Sequence, residues 1–472
     1  MKTKILTTLL VLFLLGCGGE VEQSSAPSSI FTSVVTTIQA TTTSTTLALI
    51  APPPESDIEA CRIPEPRQKP ENSQEPNVGF PVILNNLPAG GIIKLVVIPV
   101  QWVDVLGDKV LLDEEFEQVR MFTDYYETVS NGALKYDVTF VEEWMTIPGS
   151  INDYSQVYDS DFNYKLVQAA IDVADPVVDF SGTQVALVII PENSPIPTES
   201  GRHYEGQAIS HASFQGFDSL AGPGPRPVSD EGRIPNWMGA GAYFDDSAGT
   251  RNEWSYYVHE TGHMFELPDY YIIDQKQWLY SPWEDIEPVS IPTGPFNYWS
   301  VMANQDGPSR TMETWSRWLV GWLNETEIYC FDARGMSSSA QFDLTLVPLD
   351  LYNGEPKAVI IRTGESTGFV IESRRPIGPD ETLEAWQTNA GVDPSGLIVY
   401  RVNTAKGHSQ GTLSIVPPDG HFWVSWFWNN RQPGIHLDAL YHEGDTTFID
   451  GVKIDVRQIG TDEDIVRLTF SP

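Results

Sequence analysis

The chain has 472 residues, which is enough for two or three domains with a buried core. Its 64 Asp and Glu residues outnumber its 28 Lys and Arg residues, and the formal net charge is −36. A chain this acidic has no general basic field with which to hold nucleic acid or an anionic membrane, so we expect no nucleic-acid partner. The composition favours a soluble, exported protein whose acidic side chains are mostly solvated.

Residues 1–17 have the pattern of an export signal. Lys2 and Lys4 precede an apolar run over residues 5–15, which is too short to span a bilayer as a helix. The signal ends in Leu-Leu-Gly-Cys at Cys17, which resembles the lipobox of bacterial lipoproteins. This resemblance implies that the signal is removed before Cys17 and that its thiol carries a lipid anchor to the membrane. An ordinary secretory signal cut nearby is the alternative, and both interpretations export the protein.

Two segments precede the predicted folded domains. Residues 18–56 are rich in Ser, Thr and Pro, which predicts a disordered tether because such a segment buries too little apolar surface to fold. Residues 57–90 remain polar and rich in Pro, and they are predicted to be either a pro-segment or an arm packed on the main domain. In an oxidising compartment we expect a disulfide between Cys61 and Cys330, and a Cys61 thiolate that caps a metal is the alternative.

The remainder of the chain predicts an α+β fold with two domains. Over residues 91–330, apolar strand-like runs alternate with helical patterns. The predicted strands begin near residues 92, 133 and 184, and the predicted helices begin near residues 111 and 164. Over residues 331–472, short strand-like runs separated by turn residues predict an antiparallel β-sandwich.

The stretch YVHETGHMFELPDYY, which begins at Tyr257, has the most specific functional pattern. His259 and His263 are four residues apart, so both imidazoles lie on one side of a predicted amphipathic helix that ends just before Pro268. Two imidazoles so placed can bind one zinc ion. Glu260 has the place of a general base, which takes a proton from water and passes it to the leaving amine. A helix with two histidines by chance is the alternative.

The third zinc ligand has two candidates, since a catalytic zinc ion has three protein ligands and one open position. Glu266 lies seven residues after His259, about 10 Å away along a continuous helix, so it is expected to be a solvated carboxylate at the helix end. Asp269 follows Pro268, where the chain turns, and a chain that doubles back there can bring a carboxylate to the zinc. We therefore predict Asp269 as the third ligand, with a turn-capping aspartate as the alternative.

The pattern H-E-x-x-H-x-x-x-L-P-D, from His259 to Asp269, resembles the motif of the immune inhibitor A family of secreted bacterial metallopeptidases. These enzymes are relatives of the metzincins in which an aspartate is the third zinc ligand. Further stretches that resemble family segments are DYYETVSNGAL, YWSVMA, METWSRWLVGWL, GFVIESRRP and GLIVYRV. The resemblance implies that residues 91–330 form a metzincin-like zinc peptidase domain, in which a mixed sheet and helices surround the active-site helix.

The same resemblance assigns roles to individual residues. It implies that His259, His263 and Asp269 bind one catalytic Zn²⁺ ion and that Glu260 is the general base. It also implies that Met302 belongs to a methionine turn that packs under the imidazoles, and an ordinary core methionine is the alternative.

The sequence thus predicts an exported, lipid-anchored zinc endopeptidase that acts on a protein or peptide substrate. One departure favours an alternative, because the family usually has glycine where this chain has Glu266. Glutamate adopts the positive φ of a sharp turn at a cost of about 1 kcal/mol. The alternative is a catalytically degenerate lipoprotein that binds a glycan or a protein at the surface, and a zinc enzyme with a different substrate is a third reading.

Two further predictions stay open at this point. The group that stabilises the oxyanion is not assigned, because the place that a tyrosine has in some metzincins, two residues after the turn methionine, is Asn304 here. Tyr270, Tyr271 and Tyr298 are nearby in sequence, and a packed core aromatic is the favoured alternative for each. Ca²⁺ is a weaker candidate cofactor, because the oxygen-rich stretches at residues 159–161 and 304–307 do not match an EF-hand loop. Ordinary turns are the favoured interpretation of both stretches.

Overall fold

The fold is mixed α+β, with three larger sheets and one short hairpin among the described residues. The computed structural model describes residues 57–67, 76–154, 160–191, 194, 214–216, 226–240, 253–271, 294–296, 299–305, 307, 309–336, 339–384, 392–419 and 439–471. The main α-helices are α1 (Lys109–Val129), α2 (Ser160–Ala174), α3 (Glu253–Met264) and α4 (Thr314–Val320). The predicted signal, lipid anchor at Cys17 and tether lie outside the described residues.

The first sheet is mainly parallel. Its strands are β1 (Gly91–Gln101), β2 (Leu134–Phe140), β3 (Met145–Thr146), β4 (Val185–Ile189), β5 (Phe214–Gly216) and β8 (Asn236–Ala240). Two short strands outside this sheet, β6 (Val228–Ser229) and β7 (Gly232–Arg233), pair with each other in a hairpin. The strand order is β2-β1-β4-β8-β5, β3 also pairs with β1, and the edge strand β5 is antiparallel to β8. Parallel neighbours require crossover connections, and α1 supplies the connection from β1 to β2.

The side chains of β1 alternate between two buried faces of this sheet. Leu95 and Val97 lie in the core that also contains α1 and α3. Val96 and Ile98 lie in a second core that contains α2. Since both faces of the strand are covered, nearly every side chain from residue 93 to residue 100 is buried, which explains the continuous apolar run in the sequence.

Two further sheets are built mainly from the C-terminal half of the chain. The seven-stranded sheet contains β9 (Gly294–Pro295), β10 (Ile328–Asp332), β12 (Ala358–Arg362), β13 (Thr367–Arg374), β14 (Gly396–Asn403), β15 (Leu413–Ile415) and β16 (Leu440–Tyr441). The four-stranded sheet contains β11 (Ala340–Leu346), β17 (Thr446–Ile449), β18 (Val452–Ile459) and β19 (Asp464–Phe470). Pairing is antiparallel except between β10 and β12.

The seven-stranded sheet has a different neighbour on each face. Ile361 of β12 shares a core with Leu346 and Leu468 of the four-stranded sheet. Ile360, which points to the opposite face, belongs to the core that contains α3 and α4. One face of the C-terminal strands therefore shares a core with α3 and α4.

Residues 57–67 and 76–90 form an arm along this assembly. Cys61 and Cys330 form a disulfide bond, which ties the arm to β10. The indole N–H of Trp315 donates to the carbonyl of Val78 at 3.2 Å, and other arm residues contact the core that contains α4. Because Cys61 is bonded to Cys330, the alternative in which its thiolate caps a metal is wrong.

Among the residues that the structure describes, every helix is too short or too polar to cross a membrane.

Candidate metal centre

Three buried side chains converge at the C-terminal end of α3. The Nε2 atoms of His259 and His263 each lie 3.1 Å from the same oxygen, Oδ1 of Asp269. The histidines share one side of the helix because they are one turn apart, and Asp269 reaches them from the loop that follows. The structure thus brings together the three residues that the sequence predicts as ligands, in a group whose donor atoms could hold one metal ion.

Hydrogen bonds on the far side of each imidazole define which nitrogen faces the centre. Nδ1 of His259 lies 2.8 Å from the carbonyl oxygen of Val301, and Nδ1 of His263 lies 2.8 Å from the carbonyl oxygen of Leu267. A carbonyl only accepts, so each Nδ1 carries the hydrogen and donates it. In the neutral rings, Nε2 then presents a lone pair toward the centre, which is the arrangement of metal-binding histidines.

These contacts test whether a zinc ion fits the residues present. The two Nε2 atoms and one carboxylate oxygen point at one another, so either protons on the rings or one metal ion must lie between them. Oδ1 of Asp269 is buried, and both Nε2 atoms lie within hydrogen-bond distance of it. Two histidines and one carboxylate are a donor set that zinc uses in catalytic sites, so the centre fits zinc.

Protons compete with a metal ion for these atoms. Burial disfavours charge on His263, but the Asp269 carboxylate outweighs this effect and raises the pKa of His263 to about 9. Burial is likewise outweighed at His259, whose pKa is raised by its hydrogen bond to Asp269. For Asp269, burial opposes the two histidines, which hold the pKa of its carboxyl well below its usual range. Since metal ligands must lose these protons, zinc affinity is expected to fall as the pH decreases.

The loop between His263 and Asp269 begins earlier than the sequence predicts. Helix α3 ends at Met264 and not at the residue before Pro268. The N–H of Leu267 donates to the carbonyl of Gly262 at 3.1 Å, and the N–H of Glu266 donates to the carbonyl of His263 at 3.0 Å. This pair of bonds is the Schellman ending of a helix. It requires a left-handed backbone conformation at the residue just before the last donor, which is Leu267 here.

Glu266 is that left-handed residue, with φ of 62°. Its side chain is buried, so the expectation of a solvated carboxylate is wrong. The amide of Asn86 donates to Oε1 of Glu266 at 2.7 Å, and the N–H of Asn77 donates to its carbonyl oxygen at 3.1 Å. Both donors come from the arm, so the arm stabilises a conformation that glutamate adopts at a cost of about 1–3 kcal/mol.

Asn86→Ala is expected to lower the free energy of unfolding by about 1.5–3 kcal/mol, the usual contribution of a hydrogen bond to a charged group. Urea denaturation of the variant and the wild type measures the change. The matched control is the same substitution in a Glu266→Ala background, where the carboxylate is absent and Asn86→Ala should cost much less. Equal costs in both backgrounds would show that the bond contributes nothing.

Met302 packs directly beneath α3. Its side chain is fully buried, and a Cβ atom added to Gly262 would lie 2.3 Å from the Sδ atom of Met302. The preceding residue, Val301, supplies the carbonyl that orients His259. The glycine inside the H-E-x-x-H motif thus allows the Met302 segment to approach the helix closely enough to hold a ligand in place.

Gly262→Ala is expected to destabilise the protein by about 1–3 kcal/mol, because overpacking of a filled core outweighs the usual gain in helix propensity. Gly335→Ala is the matched control, since a Cβ atom there would meet nothing within 4 Å. Thermal or urea unfolding of both variants gives the comparison. A Gly262→Ala protein as stable as the Gly335→Ala protein would contradict the close packing against Met302.

The segment that carries Met302 is held by a buried charge network from β13. The Arg374 guanidinium donates to the carbonyl of Trp299 at 3.0 Å and to Oγ of Ser309 at 2.7 Å. Its charge is balanced by Glu372 at 2.5 Å and by Asp380 at 2.8 Å. This network was not predicted from the sequence, although arginine at the end of the otherwise apolar run GFVIESRR was a signal for a buried ion pair.

The three tyrosine candidates are separated by their contacts. Tyr270 is fully buried and its hydroxyl is hydrogen-bonded to Ser316 at 2.9 Å, so it belongs to the core. The ring of Tyr271 stacks on His259 with centroids 6.3 Å apart. Burial, and then the charge of the hydrogen-bonded Asp269 carboxylate, raise the pKa of Tyr271, which keeps its hydroxyl protonated. Tyr298 lies outside the described residues.

Glu260 lies on α3 between the two histidines. Its Oε2 atom is buried and has no hydrogen-bond partner in the described part of the chain. A carboxylate oxygen without such a partner, beside two histidines that could hold a metal ion, is available to accept a proton from water.

The calcium candidates are not placed by the structure. Asp159 and Asp306, on which the two oxygen-rich stretches depend, lie outside the described residues. Within the residues that the structure does describe, the His259 group is the one cluster of histidine and carboxylate groups suited to a metal ion.

Comparison with known proteins gives no family assignment. No family model matches this chain, and no curated protein matches it. One matching solved structure is the crystal structure of wild-type OgpA from Akkermansia muciniphila, at 12% sequence identity and a TM-score of 0.26. The alignment covers 83% of this chain and 95% of that chain. A similarity at this TM-score supports no conclusion about fold or function.

Proposed function

We propose that this chain is a zinc-dependent endopeptidase. The observation that carries the proposal is the convergence of His259, His263 and Asp269, with both Nε2 atoms 3.1 Å from one carboxylate oxygen and Glu260 beside them. A purely structural zinc site has no need of an uncommitted glutamate next to a ligand. The combination is that of a hydrolytic centre, in which metal and base act on one water molecule.

Each residue of the centre has a separate task in this proposal. His259, His263 and Asp269 would hold the zinc ion, which would supply the Lewis acidity that activates water and polarises the scissile carbonyl. Glu260 accepts a proton from the attacking water and returns it to the leaving amine. Tyr271, whose ring stacks on His259, exchanges its hydrogen bond to Asp269 for one to the carbonyl oxygen as negative charge develops there.

We extend the proposal to the organisation of the chain. Residues 91–330 are proposed as a metzincin-like catalytic domain and residues 331–472 as a β-sandwich domain, in line with the motif that resembles the immune inhibitor A family. Export and lipid anchoring at Cys17 complete the proposal, with a protein or peptide substrate outside the cell.

The alternative function is a degenerate surface protein that binds a glycan or a protein without cleaving it. The feature that favours it is Glu266 in place of the family glycine. Glu266 adopts a φ of 62° and forms the Schellman ending, as a glycine would. The chain therefore turns at this position and brings Asp269 to the two histidines despite the substitution. The geometry therefore favours the peptidase over the degenerate alternative.

Metal content and proteolysis, measured on one preparation, test the proposal. The expected result is one zinc ion per chain and cleavage of an unstructured protein such as casein, with cleavage lost on chelation and restored by added zinc. Zinc binding without cleavage of casein or of a peptide library would favour the degenerate alternative. A protein that binds no zinc would overturn the proposal.

A further inference from the structure

We infer that His408 and Ser409, far from the H-E-x-x-H motif in sequence, are positioning residues for the third metal ligand. The inference rests on the proposed zinc-dependent function and concerns how Asp269 is held. Both residues belong to the segment between β14 and β15, in the C-terminal half of the chain. The C-terminal half of the chain would then supply side chains that hold a ligand of the metal centre.

Four contacts join this segment to Asp269. The N–H of Asp269 donates to Nδ1 of His408 at 3.1 Å, and Nε2 of His408 lies 3.2 Å from Oδ2 of Asp269. The N–H of Ser409 donates to the carbonyl of Asp269 at 3.0 Å, and its hydroxyl donates to Oδ2 at 3.4 Å. The backbone and the carboxylate of Asp269 are thus held at the same time.

The two oxygens of the Asp269 carboxylate have different partners: Oδ2 contacts His408 and Ser409, and Oδ1 faces the other two histidines. Because Nδ1 of His408 accepts a hydrogen bond, Nε2 carries the hydrogen in the neutral ring and presents it to Oδ2. Oδ1 is left facing the imidazoles of His259 and His263. A ligand carboxylate whose second oxygen is hydrogen-bonded has a fixed orientation, which strengthens metal binding.

The backbone of the segment supports the same conclusion. Ser409 has φ of 55°, a left-handed conformation that a residue other than glycine keeps only where its surroundings impose it. The N–H of this same residue donates to the carbonyl of Asp269. The ring of His408 also lies 6.0 Å from the ring of His263, so the segment borders the centre itself.

The test is the zinc dissociation constant, measured by competition with a chelating dye. His408→Ala is expected to raise this Kd by about 10–100-fold, the usual effect of removing a group that orients a ligand. His408→Gln places an amide N–H near the position of Nε2 and is expected to recover most of the affinity. His442→Ala is the matched control, because His442 lies in the same half of the chain with its ring near Asp445 and not near Asp269.

A second measurement separates positioning from a general structural role. The melting temperature of the zinc-free His408→Ala protein is expected to match that of the zinc-free His442→Ala protein. If wild type binds zinc and the Kd of His408→Ala equals that of wild type, the inference is overturned while the proposed function stands. If wild type binds no zinc, both are overturned.

Discussion

Glu260→Gln is expected to lower kcat/KM for a peptide substrate by about 10²–10⁴-fold, which is the usual contribution of a positioned general base. Glutamine has nearly the same shape but cannot take a proton from water. The Oε2 atom that changes is buried and has no hydrogen-bond partner among the described residues, so the folded state loses no bond there. Zinc content is expected to stay at the wild-type value, because Glu260 is not among the converging ligands.

Initial rates on a fluorogenic peptide, together with metal analysis of the same samples, measure this effect. Glu463→Gln is the control, since Glu463 is exposed in the turn between β18 and β19. A Glu260→Gln protein that keeps both its zinc and wild-type activity would remove Glu260 from the mechanism.

Asp269→Ala is expected to raise the zinc Kd by more than the roughly 10–100-fold that loss of a supporting group causes, because a ligand itself is removed. Activity should fall with it when zinc is not in excess. The variant also leaves His259 and His263 without the carboxylate that raises their pKa values. We therefore expect the two rings to become neutral at a lower pH than in the wild-type protein without zinc.

Zinc competition titrations and NMR titration of the histidine ring protons check the two parts of this prediction. Asp462→Ala, an exposed position, is the control for loss of one acidic residue. Retention of wild-type zinc affinity by Asp269→Ala would mean that another group is the third ligand.

Local patterns in the sequence were sufficient for much of the fold. The apolar run that begins at Ile92 overlaps β1, and the helix predicted from Leu111 overlaps α1. The runs predicted as strands in the C-terminal half overlap β11, β12, β13, β14 and β19. These elements could be predicted because strand and helix periodicity is a property of neighbouring residues. The prediction of Asp269 as the third ligand also used neighbouring residues alone, because it depended on the turn at Pro268.

Contacts between distant residues could not be predicted in this way. Glu266 adopts its left-handed conformation with the support of Asn86, which is 180 residues away in sequence. His408 contacts Asp269 across 139 residues, and Arg374 reaches Trp299 across 75 residues. No periodicity or spacing encodes such pairs. The helix end at Met264 was missed for this reason, since the sequence offered Pro268 as the nearest local signal and gave no sign that Asn86 contacts Glu266.

The most direct test of the account is a crystal structure of the zinc-loaded protein with anomalous scattering recorded at the zinc edge. One anomalous peak is expected, bonded to Nε2 of His259, Nε2 of His263 and Oδ1 of Asp269. Oδ2 of Asp269 should remain in contact with His408 and Ser409. A zinc peak elsewhere, or no peak in a protein soaked with zinc, would contradict the central claim that these three atoms form a metal centre.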